Sequence, residues 1–161
     1  MGRAILSSLA MCLVAVAGWA QSDNRLVIGQ ANEYLSAGAT AILAGRYDDG
    51  IRLTALGLEK DSPTPYERAA ALANLCAAHA AKGEADEAIE RCDQSLELNA
   101  SNWRAYSNRA YAHFLKGKYF EAQLDLTSAS AIAPEAPQVK QIRGLLNEQR
   151  LRPRVTMEDR Q

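Results

Sequence analysis

The sequence predicts an all-α chain: an α-solenoid of helix–turn–helix repeats closed by a C-terminal solvating helix. Three observations predict it. Residues of one face recur at three- to four-residue steps, as in Leu72, Leu75 and His79 or Ala88, Cys92, Ser95 and Leu96, which is the period of a helix. Glycine breaks that pattern at Gly83-Glu84 and again at Gly117-Lys118, so the chain folds back after about a dozen residues. The segments LANLCAAHAAKGEADEAIERCDQSLELNASN (72–102) and YSNRAYAHFLKGKYFEAQLDLTSASAIAPEA (106–136) align at a spacing of 34 residues, the mark of a repeat array. No strand-like alternation of any length appears.

The first twenty residues of the 161, MGRAILSSLAMCLVAVAGWA, stand apart from the array. Arg3 supplies a positive start, residues 4–17 form an uncharged and mostly apolar run, and Gly18-Trp19-Ala20 offers small residues for cleavage. This is the pattern of a secretory signal peptide over 1–20; the run is short for a membrane span, which needs about 20 apolar residues. Met11 stands where a lipoprotein box before Cys12 wants a small residue, and Leu6 departs from the myristoylation pattern. The expected mature chain is 21–161, exported, periplasmic or secreted, with no integral membrane segment after signal cleavage. Without Arg3 the formal charge moves from −1 to −2, which gives no electrostatic case for nucleic acid.

The remaining elements follow in order. Residues 21–29 form a lead segment. A degenerate first repeat covers 30–61, where Gly45 precedes Gly83 by 38 residues. The four extra residues are assigned to Ser62-Pro63-Thr64-Pro65, an insert at 62–65 where proline does not continue a helix. The second repeat covers 66–102 and the third 103–136. In 137–152 a stripe of Val139, Ile142, Leu145 and Leu146 reads as one more helix, the cap that a repeat array needs over its last apolar face. Residues 153–161 are polar and read as a flexible tail. Arg150, Arg152 and Arg154 suit a helix C-terminus followed by solvent.

The third repeat resembles the tetratricopeptide repeat (TPR), carrying Tyr106, Ala110, Gly117, Tyr119, Ala122, Ala129 and Pro134 at that family's positions. The second keeps Leu75, Gly83, Ala88, Leu96 and Leu98, and the first keeps Tyr34, Gly38, Gly45 and Tyr47. Gly50 and Gly57 replace two alanines in the first repeat; each costs roughly 0.5–1 kcal/mol in a helix, so this copy is expected to be the least rigid. The resemblance implies a protein–protein interaction module whose first helices line a concave groove for a partner's peptide or helix. Mapped here, that groove takes Asn32, Leu35, Asn74, Arg104, Asn108 and Tyr111. Asparagine can hold a peptide backbone and Arg104 can pair with a carboxylate. Leu35 and Ala39 stand where a carboxylate clamp of the family has Lys and Asn, so the expectation is a peptide groove rather than a full clamp. Alternatively, Asn74 and Asn108 tie neighbouring repeats together. A homodimer is a candidate assembly, since three repeats make a short array.

The catalytic inventory is thin. Beyond the first twenty residues there are two His and two Cys, and no phosphate-binding glycine loop, nucleophile elbow or HExxH helix. The expectation is no enzyme, no cofactor and no metal site. His79 and His113 share one repeat position, where the family usually places an aromatic ring. The repeat also pairs the cysteines. Cys76 lies eight residues before Glu84 and Cys92 eight after it, and Cys76 takes the family's small position, where two helices come close. Facing Cα atoms there fall at about 4–5.5 Å, overlapping the disulfide range of about 4.4–6.8 Å, so a Cys76–Cys92 bridge is expected. Two free thiols remain an alternative. So does a small metal-binding or enzymatic helical protein using Cys76, His79 and Cys92.

Overall fold

The computed structural model describes residues 33–60 and 62–151. The expected signal peptide, the expected lead segment, Asn32 and the expected tail at 153–161 lie outside the described residues. Seven helices follow in order: α1 (Glu33–Leu43), α2 (Tyr47–Lys60), α3 (Pro65–Lys82), α4 (Ala85–Leu98), α5 (Trp103–Leu115), α6 (Tyr119–Ile132) and α7 (Pro137–Leu151). They form three hairpins, α1–α2, α3–α4 and α5–α6, and α7 packs on the last of them.

Each hairpin turns on a glycine in the left-handed region. Gly45, Gly83 and Gly117 have φ of 75°, 82° and 70°, a conformation that a Cβ disfavours. At the second turn the Gly83 and Glu84 amides donate to the carbonyls of Ala80 and His79, so the last groups of α3 are satisfied. The start of α3 differs from the sequence expectation. Pro65 belongs to the helix as its first residue, where the missing N–H costs nothing. Thr64 caps it: its hydroxyl accepts from the Glu67 amide at 3.3 Å, and the Glu67 carboxylate accepts from the Thr64 amide at 2.9 Å. The Thr64 amide first, and its hydroxyl donating to Glu67 Oε2 at 2.8 Å second, hold the Glu67 carboxyl below its ordinary range.

The first helices α1, α3, α5 and α7 touch one another in sequence, whereas each second helix contacts only the first helices beside it. The first helices therefore form the inner, concave layer. The interior is made largely of alanine, with Ala73, Ala88, Ala105 and Ala112 in one cluster and Ala110, Ala122, Leu126 and Val139 in the next. Small side chains let backbones come close, and the cysteine pair uses this. Cys76 on α3 and Cys92 on α4 are fully buried, with Cα atoms 5.3 Å apart and their sulfurs joined. The expected bridge is the geometry seen.

In the first hairpin glycine does the same work. A Cβ on Gly38 would stand 2.3 Å from Thr54 Oγ1 and 2.9 Å from the Thr54 amide nitrogen, and one on Gly50 would stand 2.3 Å from Ile42 Cγ1. These glycines are packing positions of α1 against α2. Gly38→Ala should destabilise the protein by about 1–3 kcal/mol through overpacking, read as a lower urea midpoint. Thr54→Ala should recover only part of the loss, because the backbone contact remains.

Candidate functional site

The inner layer carries a polar cleft between the start of α3 and the start of α5. It holds about 190 Å³ and is lined by Tyr66, Ala70, Asn74, Asn102, Trp103 and Arg104, among others. Its walls are set by local chemistry. Thr64 and Pro65 start α3 so that Tyr66 stands in its first turn, 59% exposed. Across the cleft Asn102 caps α5, accepting from the Ala105 amide at 3.4 Å. The Asn102 amide donates to Ser95 Oγ at 3.0 Å, and that hydroxyl donates to the Ala69 carbonyl at 2.7 Å. This chain of bonds ties α5, α4 and α3 together directly behind the cleft.

Arg104 lies on the rim with its guanidinium carbon 4.4 Å from the centre of the Trp103 ring, a stacking that orients a planar cation. Ala70 and Ala73 make a small apolar floor, and no lining residue is acidic. At about 190 Å³ the cleft falls below the roughly 300–1,000 Å³ of small-molecule sites. It has room for one anchoring side chain rather than a whole metabolite.

The groove residues expected from sequence divide into groups. Asn74 and Arg104 come together in this cleft. Asn108 does not contribute to a free surface: its amide donates to the Ala73 carbonyl at 2.9 Å, and its carbonyl accepts from the Gln138 amide. It is buried and bridges α3, α5 and α7, which is the inter-repeat alternative. Leu35 is 5% exposed and belongs to the core, because α2 and α3 both pack on α1. Tyr111 is half-buried against both core clusters. Asn32 lies outside the described residues. Tyr66, Asn102 and Trp103 were absent from the sequence-derived set. The signal for Tyr66 was the Thr-Pro-Tyr-Glu run, a capping box that makes the tyrosine part of a helix.

The alternative constellation of Cys76, His79 and Cys92 is committed elsewhere. The two sulfurs take each other, and His79 Nδ1 lies 2.7 Å from Glu84 Oε2. Lys82 reaches both Glu84 and Asp48 at 2.7 Å, linking the first two hairpins. The Glu84 carboxyl is held low by Lys82 first and His79 second.

His113, at the matching position of the next repeat, is also mostly buried. Its Nδ1 has no hydrogen-bond partner among the described residues, and its Nε2 lies 3.8 Å from Asp125 Oδ2. Burial pushes its pKa below the ordinary 6.5, opposed by Asp125 and assisted by Arg109. As pH falls, the unfolded chain therefore takes up this proton before the folded one does. The contribution of His113 is complete above about pH 6.5 and declines below it. Urea midpoints measured from about pH 7.5 down to about pH 5.5 should fall less steeply in His113→Phe than in the parent. Equal slopes would remove His113 as the cause.

No family model matches the chain. It is 29% identical over 120 residues to the DnaJ homolog subfamily C member 3 of Gallus gallus, covering 74% of this chain and 24% of that one. It is 28% identical over 109 residues to the photosystem I assembly protein Ycf3 of Cyanophora paradoxa, covering 66% and 61%. The chain thus spans about a quarter of the length of the first relative and 61% of the second. Among solved structures, the second TPR domain of human RPAP3 in complex with the HSP70 peptide SGPTIEEVD superposes with a TM-score of 0.58. That match has 24% sequence identity over 68% of this chain and 88% of that one. That superposition is a likeness of fold: by fold, the chain is an all-α tetratricopeptide-repeat solenoid.

Proposed function

We propose that the chain is a non-catalytic protein–protein interaction module. It holds a peptide of a partner protein against the concave layer, in an exported compartment, periplasmic or secreted, with an adaptor, assembly or chaperone-like role. The observation that carries this reading is the cleft between α3 and α5. Tyr66 and Trp103 supply aromatic walls there, the alanine floor takes one side chain, and Asn74 and Arg104 face the bound backbone or carboxylate. The names of the similar proteins support it: one is an assembly protein, one a DnaJ homolog, and the solved domain holds a peptide. The compartment rests on the sequence of residues 1–20 and on the cysteine pair, which an oxidising environment keeps joined.

A photo-crosslinking residue at position 66 tests the site, with one at the exposed Glu97 as the control on the outer layer. In the native envelope, position 66 should give a discrete partner adduct and position 97 should not. Arg104→Glu should weaken capture of that partner about ten- to hundredfold, as loss of a charge-assisted hydrogen bond does. Equal adducts from both positions, or indifference to Arg104→Glu, would sink the cleft as the binding site.

A further inference from the structure

A second and larger groove lies on the other side of the array, at its C-terminal end. It runs between α6 and α7, encloses about 970 Å³, and has Leu126 and Leu146 in its floor with Arg143 and Arg150 at its edge. Phe120, 80% exposed, stands in its α6 wall, and Leu124, 61% exposed, lies beside it on the same helix. Comparison at the repeat period makes this unusual. Thirty-four residues earlier, Phe120 corresponds to Asp86, Leu124 to Glu90, Thr127 to Asp93 and Ala131 to Glu97. The second hairpin carries four carboxylates at these positions where the third carries three apolar residues and a threonine. A helix that is apolar on both sides is one that gets covered on both sides.

The same comparison says what is missing. α7 is the first helix of a hairpin that has no second helix among the described residues. Gly144 stands at the position of Gly38, Cys76 and Ala110. At Gly38 the second helix comes within 2.3 Å of an added Cβ, and at Cys76 it is close enough for a bridge to Cys92; around Gly144 nothing among the described residues lies within 4 Å. Glycine in an exposed helix weakens that helix, and a close-packed neighbour is what it otherwise permits. The charges agree. Arg143 corresponds to Arg109 and Arg150 to Lys116. Arg109 is held by Asp125 of its own hairpin and Asp93 of the preceding one, and Lys116 by Asp86. In the third hairpin Thr127 and Phe120 replace those last two acids, Arg143 donates to the Ser130 hydroxyl at 3.1 Å, and no acidic residue lines the groove among the described residues.

We infer that this groove is the docking site for an amphipathic helix of a partner protein. The helix completes the fourth hairpin, packs small apolar residues over Gly144 and Leu146, and sets a carboxylate on Arg143 as Asp125 is set on Arg109. Charge complementarity selects that occupant. A two-fold contact between copies of this chain would bring Arg143 and Arg150 toward their own equivalents. Residues 152–161, RPRVTMEDRQ, bring more arginines than carboxylates. The surface is distinct from the concave cleft, so each reading stands or falls alone.

The probe is a fluorescent synthetic peptide copying residues 117–134, because α6 is the helix that fills this relation to Arg109. Anisotropy with the full chain should show saturable binding. Arg143→Glu and Gly144→Leu should each weaken it about tenfold or more without lowering the thermal melt of the chain, since both positions are exposed and leucine in place of glycine favours the helix. The peptide carrying Asp125→Arg should fail with the parent chain and bind again to Arg143→Glu. Absence of saturable binding, or binding indifferent to Arg143→Glu, would overturn the proposal. So would a dimer in sedimentation that Phe120→Ser abolishes, which makes a second copy the occupant. Much tighter peptide binding by a chain ending at Leu151 would overturn it too, making residues 152–161 the occupant.

Discussion

Arg109→Leu should lower the free energy of unfolding by about 3–5 kcal/mol, a large fraction of what holds a domain of this size together. The reason is the company its guanidinium keeps. From α5, Arg109 donates through Nε and Nη2 to the Asp125 carboxylate of α6 at 2.8 and 2.7 Å, and through Nη1 to Asp93 of α4. Asp125 has a side chain only 6% exposed. Its hydrogen bonds, chiefly those to Asp125, hold the Arg109 pKa above its already high ordinary value. With arginine removed, a buried carboxylate is left without its counter-charge, and that costs more than the pair contributes when intact. Arg109→Leu combined with Asp125→Leu should therefore be more stable than Arg109→Leu alone. Urea denaturation of the four proteins in the cycle measures both effects. A loss below about 1 kcal/mol in the single variant, the level of an exposed pair, would show that Asp125 does not depend on Arg109.

The Cys76–Cys92 bridge has the second largest expected effect. The cysteines are separated by 16 positions, and closing a loop of that length stabilises by about 3 kcal/mol when geometry is unstrained. Both cysteines are fully buried, so reductant should act only after the hairpin opens. Cys76→Ala with Cys92→Ala should lower stability by that amount, and the parent melted with reductant should move toward the variant. Alkylation of the native protein without reductant, read by mass spectrometry, should leave both cysteines unmodified until the chain is unfolded and reduced. Modification of both in the native state would sink the bridge, and with it the support it lends to an oxidising compartment.

The hairpins were legible because their signals are local. A glycine that needs φ above zero, a helical period on either side of it and a 34-residue echo all lie along the chain. The cysteine pair followed from the same arithmetic about the turn. The concave cleft was only half legible. Asn74 and Arg104 sit on the first helices α3 and α5, and both line the cleft. Asn108 occupies the equivalent of Asn74, yet a side chain thirty residues away, Gln138, takes its carbonyl. Nothing near Asn108 in the sequence announces that partner. Tyr66 was hidden for the opposite reason. Two prolines beside it read as a break, while the bonds between Thr64 and Glu67 turn the second proline into the first residue of a helix. The apolar residues on α6 were written in the sequence, but they gain meaning only because α6 is the last second helix among the described residues.

Asn108 also governs a larger dimension. One amide group reaches back to a carbonyl of α3 and forward to the amide of Gln138 on α7, so a single residue sets the rotation between three successive layers. In a solenoid that small rotation, repeated, is the radius of curvature. Asn108→Ala thus acts as a change of gauge. It alters how far Tyr66 stands from the helices beyond it and which partners the inner arc can span, without removing an atom from the cleft itself.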